Sequence, residues 1–258
     1  MATNSTIDLN SDLGEGYGQW AMGNDADMLG VVSSANIACG GHAGDAETMF
    51  ATLSQARANG VTVGAHPGYA DKPGFGRRII PMTIGEIERM VACQIGALMG
   101  AAALAGVPVA YVKAHGALAN LAADDRDVAA AIARATRAVS RDLALLAISG
   151  TELEGAGNYA GLQVFSEIFA DRAYLPSGRL VQRSRPDAMI YNADTAAKRL
   201  IAFLASGMMP TLDGPKIPLA AQSICVHGDS EGAVHMARHI RSVLGQAGIA
   251  LAAFLPAA

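Results

Sequence analysis

Asp8, Asn10 and Asp12 stand at alternate positions near the start of the chain, and Gly14-Glu15-Gly16 follows them. In an extended strand alternate side chains share one face, so these three polar groups point the same way. Buried carboxylates and amides are costly unless they serve a site. Similar endings recur along the chain. Ser33-Ser34-Ala35-Asn36 leads to Cys39-Gly40-Gly41-His42, Gly64-Ala65 runs into His66-Pro67, Lys113-Ala114-His115-Gly116 closes an apolar run, and His227-Gly228-Asp229 closes another. Four of the six histidines therefore sit just past strand-like segments. One such histidine is often a satisfied structural residue. Four of them, joined by Lys113 and several carboxylates, point to a site in which imidazoles and carboxylates move protons and an ammonium steadies negative charge.

Other patterns carry less. His235 and His239 are four apart on a helical segment, a metal-ligand spacing, but they lack the intervening Glu of a zinc-protease motif and lie off its apolar face. Gly14-x-Gly16-x-Gly18 resembles part of a dinucleotide fingerprint, yet no helix start follows, and Asp12 and Glu15 would repel a pyrophosphate. Neither a GxxxxGK[ST] phosphate loop nor a GxSxG nucleophile elbow occurs. Cys39, near His42, has the flanks of a strand core and not of a nucleophile.

The elements that must position these residues alternate between strand and helix. Short apolar runs at 7–10, 31–38, 61–64, 110–113, 143–148, 162–165, 223–226 and 249–254 read as strands buried on both faces. Helices are expected over 46–59, from a Thr83/Glu86 capping box onward, and over 124–140, 192–206 and 230–245. The apolar stretch 95–110 reads as a buried helix and a turn, too short for a membrane crossing. Strand–helix repeats with short links imply a parallel sheet. Polar residues at many strand ends favour a closed β/α barrel over an open sheet, which gathers them at one switch point. The chain reads as one α/β domain over 1–258, with a long loop at 169–191.

Composition narrows the classes. The chain has 258 residues, 51% hydrophobic and 16% charged, with a formal net charge of −4. This permits a large core and gives no basic excess for nucleic acid. The N-terminus lacks the pattern of a secretory signal, and three scattered cysteines suggest no disulfide framework. A cytoplasmic protein without a membrane or nucleic-acid partner is expected.

At these residues the chain resembles the LamB/YcsF family nearly end to end. The matching segments are Ile7-Asp8-Leu9-Asn10-Ser11-Asp12-Leu13-Gly14-Glu15-Gly16, Ser33 to Gly40 with His42-Ala43-Gly44-Asp45, and Gly64-Ala65-His66-Pro67 with Gly74-Phe75-Gly76-Arg77. Further on come Val112-Lys113 with His115-Gly116-Ala117-Leu118, Phe169-Ala170-Asp171-Arg172-Ala173-Tyr174, and Gln222 to Asp229. The resemblance implies a seven-stranded β/α barrel, TIM-like and of the glycoside hydrolase/deacetylase type, so one of the eight strand candidates should be a flanking strand. It also implies ATP-dependent opening of 5-oxo-L-proline to L-glutamate, with ATP as co-substrate (and Mg²⁺ with it) and two partner subunits, B and C. Where the family usually has an aromatic residue, a proline and a tyrosine, this chain has Gly41, Ala114 and Ala119. These changes remove bulk beside the expected pocket and leave the exact lactam open.

An unstrained lactam resists water, so the coupling to ATP makes sense if phosphorylation of the amide oxygen creates a better electrophile. Such a site needs cations for the phosphate and oxyanion, and a base for the water. On this reading Lys113 and Arg77 supply positive charge; His42, His66 or Asp12 is the base; and His115 or Asp229 protonates the leaving nitrogen or orients a neighbour. Asp8, Asn10, Glu15, Asn36, Arg77 and His227 bind substrate or ATP. Arg77 also has a plainer reading, as a loop arginine paired with Asp71 or Asp45. A divalent metal on Asp12, His42 and His66 is a second possibility, with a cation-averse lysine nearby. Two other functions stay open: a metal-dependent amide or acetyl hydrolase, and a non-catalytic subunit that only holds substrate.

Overall fold

The computed structural model describes residues 6–229 and 232–255. The elements run β1 (Thr6–Leu13), α1 (Asp25–Leu29), β2 (Ser34–Ala38), α2 (Ala46–Ala58), β3 (Thr62–His66), α3 (Ile84–Ala105), β4 (Val109–Val112), α4 (Gly116–Ala122), α5 (Arg126–Val139), β5 (Ala144–Ile148), α6 (Glu152–Tyr159), β6 (Val164–Phe169), α7 (Ala193–Ser206), β7 (Met208–Met209), β8 (Ile217–Pro218), β9 (Ser223–Cys225), α8 (Ala233–Gln246) and β10 (Ala250–Leu251).

Seven strands close a parallel barrel in the order β1-β2-β3-β4-β5-β6-β9, with β9 pairing back onto β1. The expected closed barrel is therefore present. β10 is the flanking strand, pairing only with Thr6 and Ile7 at the start of β1. β7 and β8 form a small antiparallel pair outside the barrel.

Local signals explain most helix ends. Asp45, Asn192 and Asp125 cap α2, α7 and α5 with their side chains. Thr83 and Glu86 form the full capping box at α3, and Gly106 ends that helix at φ 66°. α3 reaches back to Ile84, well before the apolar stretch at 95–110, and is long and apolar enough to cross a membrane. In the fold its Ile87, Val91, Ile95 and Leu98 are buried in the core it shares with the barrel. The helix expected over 230–245 runs over Ala233–Gln246; Ser230 lies outside the described residues.

Strand parity divides the barrel into an apolar outer layer and a polar interior. Leu9, Ile37, Val63, Ala65, Val112, Leu145, Ile168 and Ile224 belong to the main core. The opposite face carries Asp8, Asn10 and Asp12, which pair in register with Ser223, Ser34 and Asn36. Gly64 is required here: a Cβ on it would lie 2.2 Å from the Tyr111 ring, which fills the barrel's interior. A second apolar cluster closes the floor, where Phe254 packs against Tyr111 and Phe165 with ring centroids 4.9 and 4.7 Å apart.

Two boundary differences matter for the site. β1 extends through Asp12 to Leu13. β6 starts at Val164 and runs to Phe169, not over 162–165, which brings Glu167 inside the barrel. The expected long loop holds: residues 170–192 contain no helix and no strand, only isolated bridges such as Tyr174 with Leu180.

Candidate active site

From the floor upward, the first polar layer surrounds Asp8. Its Oδ1 accepts hydrogen bonds from Ser33 Oγ at 2.6 Å and Ser34 Oγ at 2.7 Å, and its other oxygen accepts from Ser223 Oγ. Burial dominates over these donors and pushes the Asp8 carboxyl up to about 6. Above it, Asn10 Oδ1 accepts from Asn36 Nδ2 at 2.7 Å, and Tyr111 Oη donates to Asn36 Oδ1 at 2.6 Å.

Lys113, from the end of β4, is the hub of the next layer and is only 3% exposed. Its Nζ lies 3.0 Å from Asp12 Oδ1, 3.1 Å from Glu167 Oε2, 3.1 Å from Cys225 Sγ and 3.3 Å from Asn10 Oδ1. Burial works against the ammonium, but Asp12 and Glu167 outweigh it and hold its pKa well above the usual lysine value. Burial would likewise raise Asp12, yet His66 and Lys113 keep it well below the ordinary carboxylate range. Glu167 goes the other way, because burial exceeds the pull of Lys113.

A histidine stack stands on one side of this hub. His66 Nδ1 donates to the Lys113 carbonyl at 2.7 Å, and His115 Nε2 donates to the Phe75 carbonyl at 2.8 Å. Carbonyls only accept, so both of those nitrogens carry hydrogen. The remaining nitrogens, His66 Nε2 and His115 Nδ1, face each other at 3.0 Å. Two lone pairs would repel, so one proton lies between them. Burial and the neighbouring His42 push His115 well below the usual histidine pKa. His66 Nε2 is also 3.4 Å from Asp12 Oδ2, so the carboxylate draws the shared proton toward the His66 side of the contact. Behind the pair, His42 Nε2 is 3.2 Å from Glu15 Oε1, and burial together with Asp12 raises Glu15 well above its normal value.

On the other side is His227. Asp171 takes its Nδ1 hydrogen at 2.8 and 3.0 Å, which leaves Nε2 as the lone-pair nitrogen. Phe169 stacks on the same imidazole at 5.4 Å.

These groups meet at a cavity of about 690 Å³. Asp12, His66, Arg77, Lys113, His115 and His227 all line it. Asp8, Asn10, Glu15, Asn36 and His42 are buried outside its wall and act on it through the residues in front of them. Asp229 pairs with Arg77. Arg78, not Arg77, takes Asp71. The sequence patterns did not mark Glu167, Asp171 or Arg172 as site residues, although all three reach the site. The signal for Glu167 was a carboxylate inside the apolar run Val164-Phe165-Ser166-Glu167-Ile168-Phe169.

A metal on Asp12, His42 and His66 finds no matching geometry. Asp12 is engaged by Lys113 and groups instead with Cys225 and His227. Glu15, His42, His66 and His115 do bring one donor atom each within 4.8 Å of one another. However, the His42 and His115 rings are stacked at 3.6 Å with 2° between their planes. Parallel rings keep their in-plane lone pairs in separate parallel planes, so both cannot aim at one ion, and the set as arranged fits a hydrogen-bonded proton relay. The Cys39 thiol is pushed up to about 12 by burial, which removes it as a nucleophile. His235 is exposed, and His239 pairs with Asp194 at 2.7 Å.

Of the three departures from the family pattern, Ala114 and Ala119 line the cavity, but Gly41 does not. A Cβ at Gly41 would lie 2.5 Å from Gln94 Oε1, so that space is filled by Gln94 and adds no room for a ligand.

Comparison with known proteins agrees with this geometry. The sequence profile of the LamB/YcsF family matches residues 7–258. The chain is 49% identical over 250 residues to the 5-oxoprolinase A subunit of Nitrobacter hamburgensis, covering 96% of this chain and 98% of that one. The 5-oxoprolinase A subunit of Gluconobacter oxydans is 49% identical over 251 residues, covering 97% and 99%. Among solved structures, the lactam utilization protein from Thermus thermophilus superposes with a TM-score of 0.91 at 41% identity, covering 96% of this chain and 100% of that one. A solved structure from Enterococcus faecalis V583 shares only the fold, at a TM-score of 0.58 and 11% identity, covering 97% of each chain.

Proposed function

The chain belongs to the LamB/YcsF family, and on that premise we propose that it is the A subunit of a 5-oxoprolinase. It opens 5-oxo-L-proline to L-glutamate in the cytoplasm, coupled to ATP hydrolysis and working with subunits B and C. The observation that carries this reading is the convergence of Lys113, Asp12, Glu167, His66 and His227 on one cavity. A lactam fits there with an acid and a base at hand. The absence of a phosphate loop from the sequence agrees with a nucleotide site formed with the partners.

The chemistry follows from the proton positions. ATP, with its Mg²⁺, activates the lactam by phosphorylating the amide oxygen. His227, oriented by Asp171, presents its Nε2 lone pair and takes a proton from the attacking water. Negative charge that develops on the oxygens of the tetrahedral ring carbon is met by the Lys113 ammonium, fixed in place by two carboxylates and so needing no reorganisation. His66 delivers its Nε2 proton to the ring nitrogen as the C–N bond breaks. The His66 Nε2 and His115 Nδ1 lone pairs then face each other across the 3.0 Å contact, and their repulsion drives His66 to take a proton back from solvent. A second water cleaves the acyl phosphate to glutamate and phosphate. Asp12 holds Lys113 in its charged form and stands 3.4 Å from His66 Nε2, and it serves here as a positioning residue and not as the base.

The test is glutamate release from 5-oxo-L-proline, assayed with subunits B and C and with or without ATP. Release is expected only when the chain, its partners and ATP are all present. Robust turnover by this chain alone without ATP would contradict the assignment and favour an ATP-independent amide hydrolase.

A further inference from the structure

The loop between β6 and α7 carries Arg172, Arg179, Arg183 and Arg185. Two of them have carboxylate partners. Arg179 Nε donates to Asp124 at 2.5 Å, and Arg185 Nη2 donates to Asp187 at 2.6 Å. Arg172 and Arg183 form no salt bridge among the described residues. Arg172 is 4% exposed. It donates from Nη2 to the Val181 carbonyl at 2.6 Å, while its buried Nε has no partner. Burial and the neighbouring Arg183 together depress its pKa to about 10. The Asp171 carboxylate, hydrogen-bonded to His227, acts on both arginines and offsets one of their two charges. Both arginines line the active-site cavity.

A buried guanidinium beside a second cation is costly unless an anion joins them. The other cations of the cavity are already matched: Lys113 by Asp12 and Glu167, Arg77 by Asp229, and Arg179 by Asp124. The remaining positive charge is therefore localised at Arg172 and Arg183, where one carboxylate faces two guanidinium forks suited to a tetrahedral oxyanion. A carboxylate offers two oxygens, enough for one fork, whereas a phosphoryl group offers three and can meet both. The cavity of about 690 Å³ lies in the range that takes drug-sized ligands, so a five-membered lactam leaves room for a second group.

We propose that Arg172 and Arg183 form the subsite for the phosphoryl group of an O-phosphorylated lactam. This chain then receives its substrate already activated and performs only the hydrolytic half of the reaction. The assignment rests on the 5-oxoprolinase reading and deepens it. An ATP-dependent phosphorylation of an amide oxygen, carried out at another site, must supply the substrate. Here the first water adds to the ring carbon, the ring C–N bond breaks with protonation of nitrogen, and an acyl phosphate results. A second water releases glutamate and inorganic phosphate. With the phosphoryl group clamped by the arginines, the protonated nitrogen is the group that departs first. Departure of phosphate at that stage would only regenerate the lactam.

The full chain, without partners, is titrated calorimetrically with inorganic phosphate, alone and in saturating 5-oxo-L-proline. Saturable phosphate binding is expected in both cases. Arg183→Gln should weaken it roughly tenfold or more while leaving lactam affinity unchanged. Arg172→Lys, which keeps the charge but loses the fork, should weaken it too, with circular dichroism confirming the fold. Competition between lactam and phosphate would overturn the proposal, because the arginines would then hold the lactam's own carboxylate. Absence of saturable phosphate binding, or binding indifferent to Arg183→Gln, would overturn it as well. Glutamate release with subunits B and C tests the underlying function separately, so the two failures are distinguishable.

Discussion

Asp8 is ringed by three serine hydroxyls deep in the barrel, and replacing it with asparagine tests whether the interior is polar without being charged. The folded state holds this carboxyl at about 6 because burial outweighs its hydroxyl donors. The unfolded chain holds it near 3.8. A folded pKa above the unfolded one means that the native state binds the proton more tightly, so this group's contribution is complete below about pH 4 and is lost as pH rises through about 6. At 1.36 kcal/mol per unit, the full loss is about 3 kcal/mol, of which about 2.5 kcal/mol falls between pH 4 and 7.5. The amide of Asp8→Asn imitates the protonated carboxyl: its oxygen keeps Ser33 and Ser34, and its NH₂ group faces Ser223. Urea unfolding of both proteins at pH 4, 5, 6 and 7.5 isolates the effect, since every other titrating group cancels in the difference. Circular dichroism is the right probe, because the single tryptophan, Trp20, is 70% exposed. Asp8→Asn should gain about 2.5 kcal/mol on the parent between pH 4 and 7.5. A variant less stable by the same margin at every pH would refute the reasoning, since it would mean that the serines stabilise the carboxylate itself.

Lys113→Met should leave Asp12 and Glu167 buried without a cation and cost about 3–5 kcal/mol in urea unfolding. Adding Glu167→Gln should recover part of that loss; strict additivity would argue against a shared hub. Asp171→Asn should let the amide donate to His227 Nδ1 and move the ring hydrogen to Nε2, lowering kcat roughly 10³–10⁴-fold with little change in lactam affinity. A variant that keeps its turnover with subunits B and C removes His227 as the base. Gly41→Ala should destabilise by about 1–3 kcal/mol as Gln94 gives up its bonds to Gly68. Lactam affinity should stay unchanged, and an altered affinity in that variant would put position 41 back at the pocket.

The sequence made the barrel and its chemical mouth legible for definite reasons. Alternation at Asp8, Asn10 and Asp12 revealed an inward face, and glycine- and histidine-rich endings marked several strand tops. What it concealed was depth. Asp8, Asn10, Asn36 and His42 have the same composition and spacing signature as Asp12 and His66, yet they lie outside the cavity wall. Only the closure of the barrel decides which of them a ligand can reach. The apolar run 162–165 ends where the polar Ser166 and Glu167 begin, so it predicts a strand shorter than β6. In the fold Glu167 faces inward and meets an ammonium that comes from β4. The short helices α1, α4 and α6 carry too few turns for a periodic signal and are held by their tertiary context.

Site depth also explains how one cavity can keep an acid and a base apart. His66 and His227 are chemically identical side chains on opposite sides of Lys113, yet the backbone carbonyl of Lys113 sets one and Asp171 sets the other. The first is forced to share a proton with His115, in contact with the carboxylate of Asp12. The second is left with a bare Nε2. Neither assignment depends on an unusual residue. Both follow from which partner can only accept a hydrogen bond, and those partners are fixed by strand register at the barrel mouth and by the loop after β6. A shift of register by one residue would turn Lys113 and Asp12 to the apolar outer layer and dissolve the hub. The closed barrel is thus the part of the structure on which the chemistry depends most directly, since it alone prevents β1, β4 and β6 from sliding past one another.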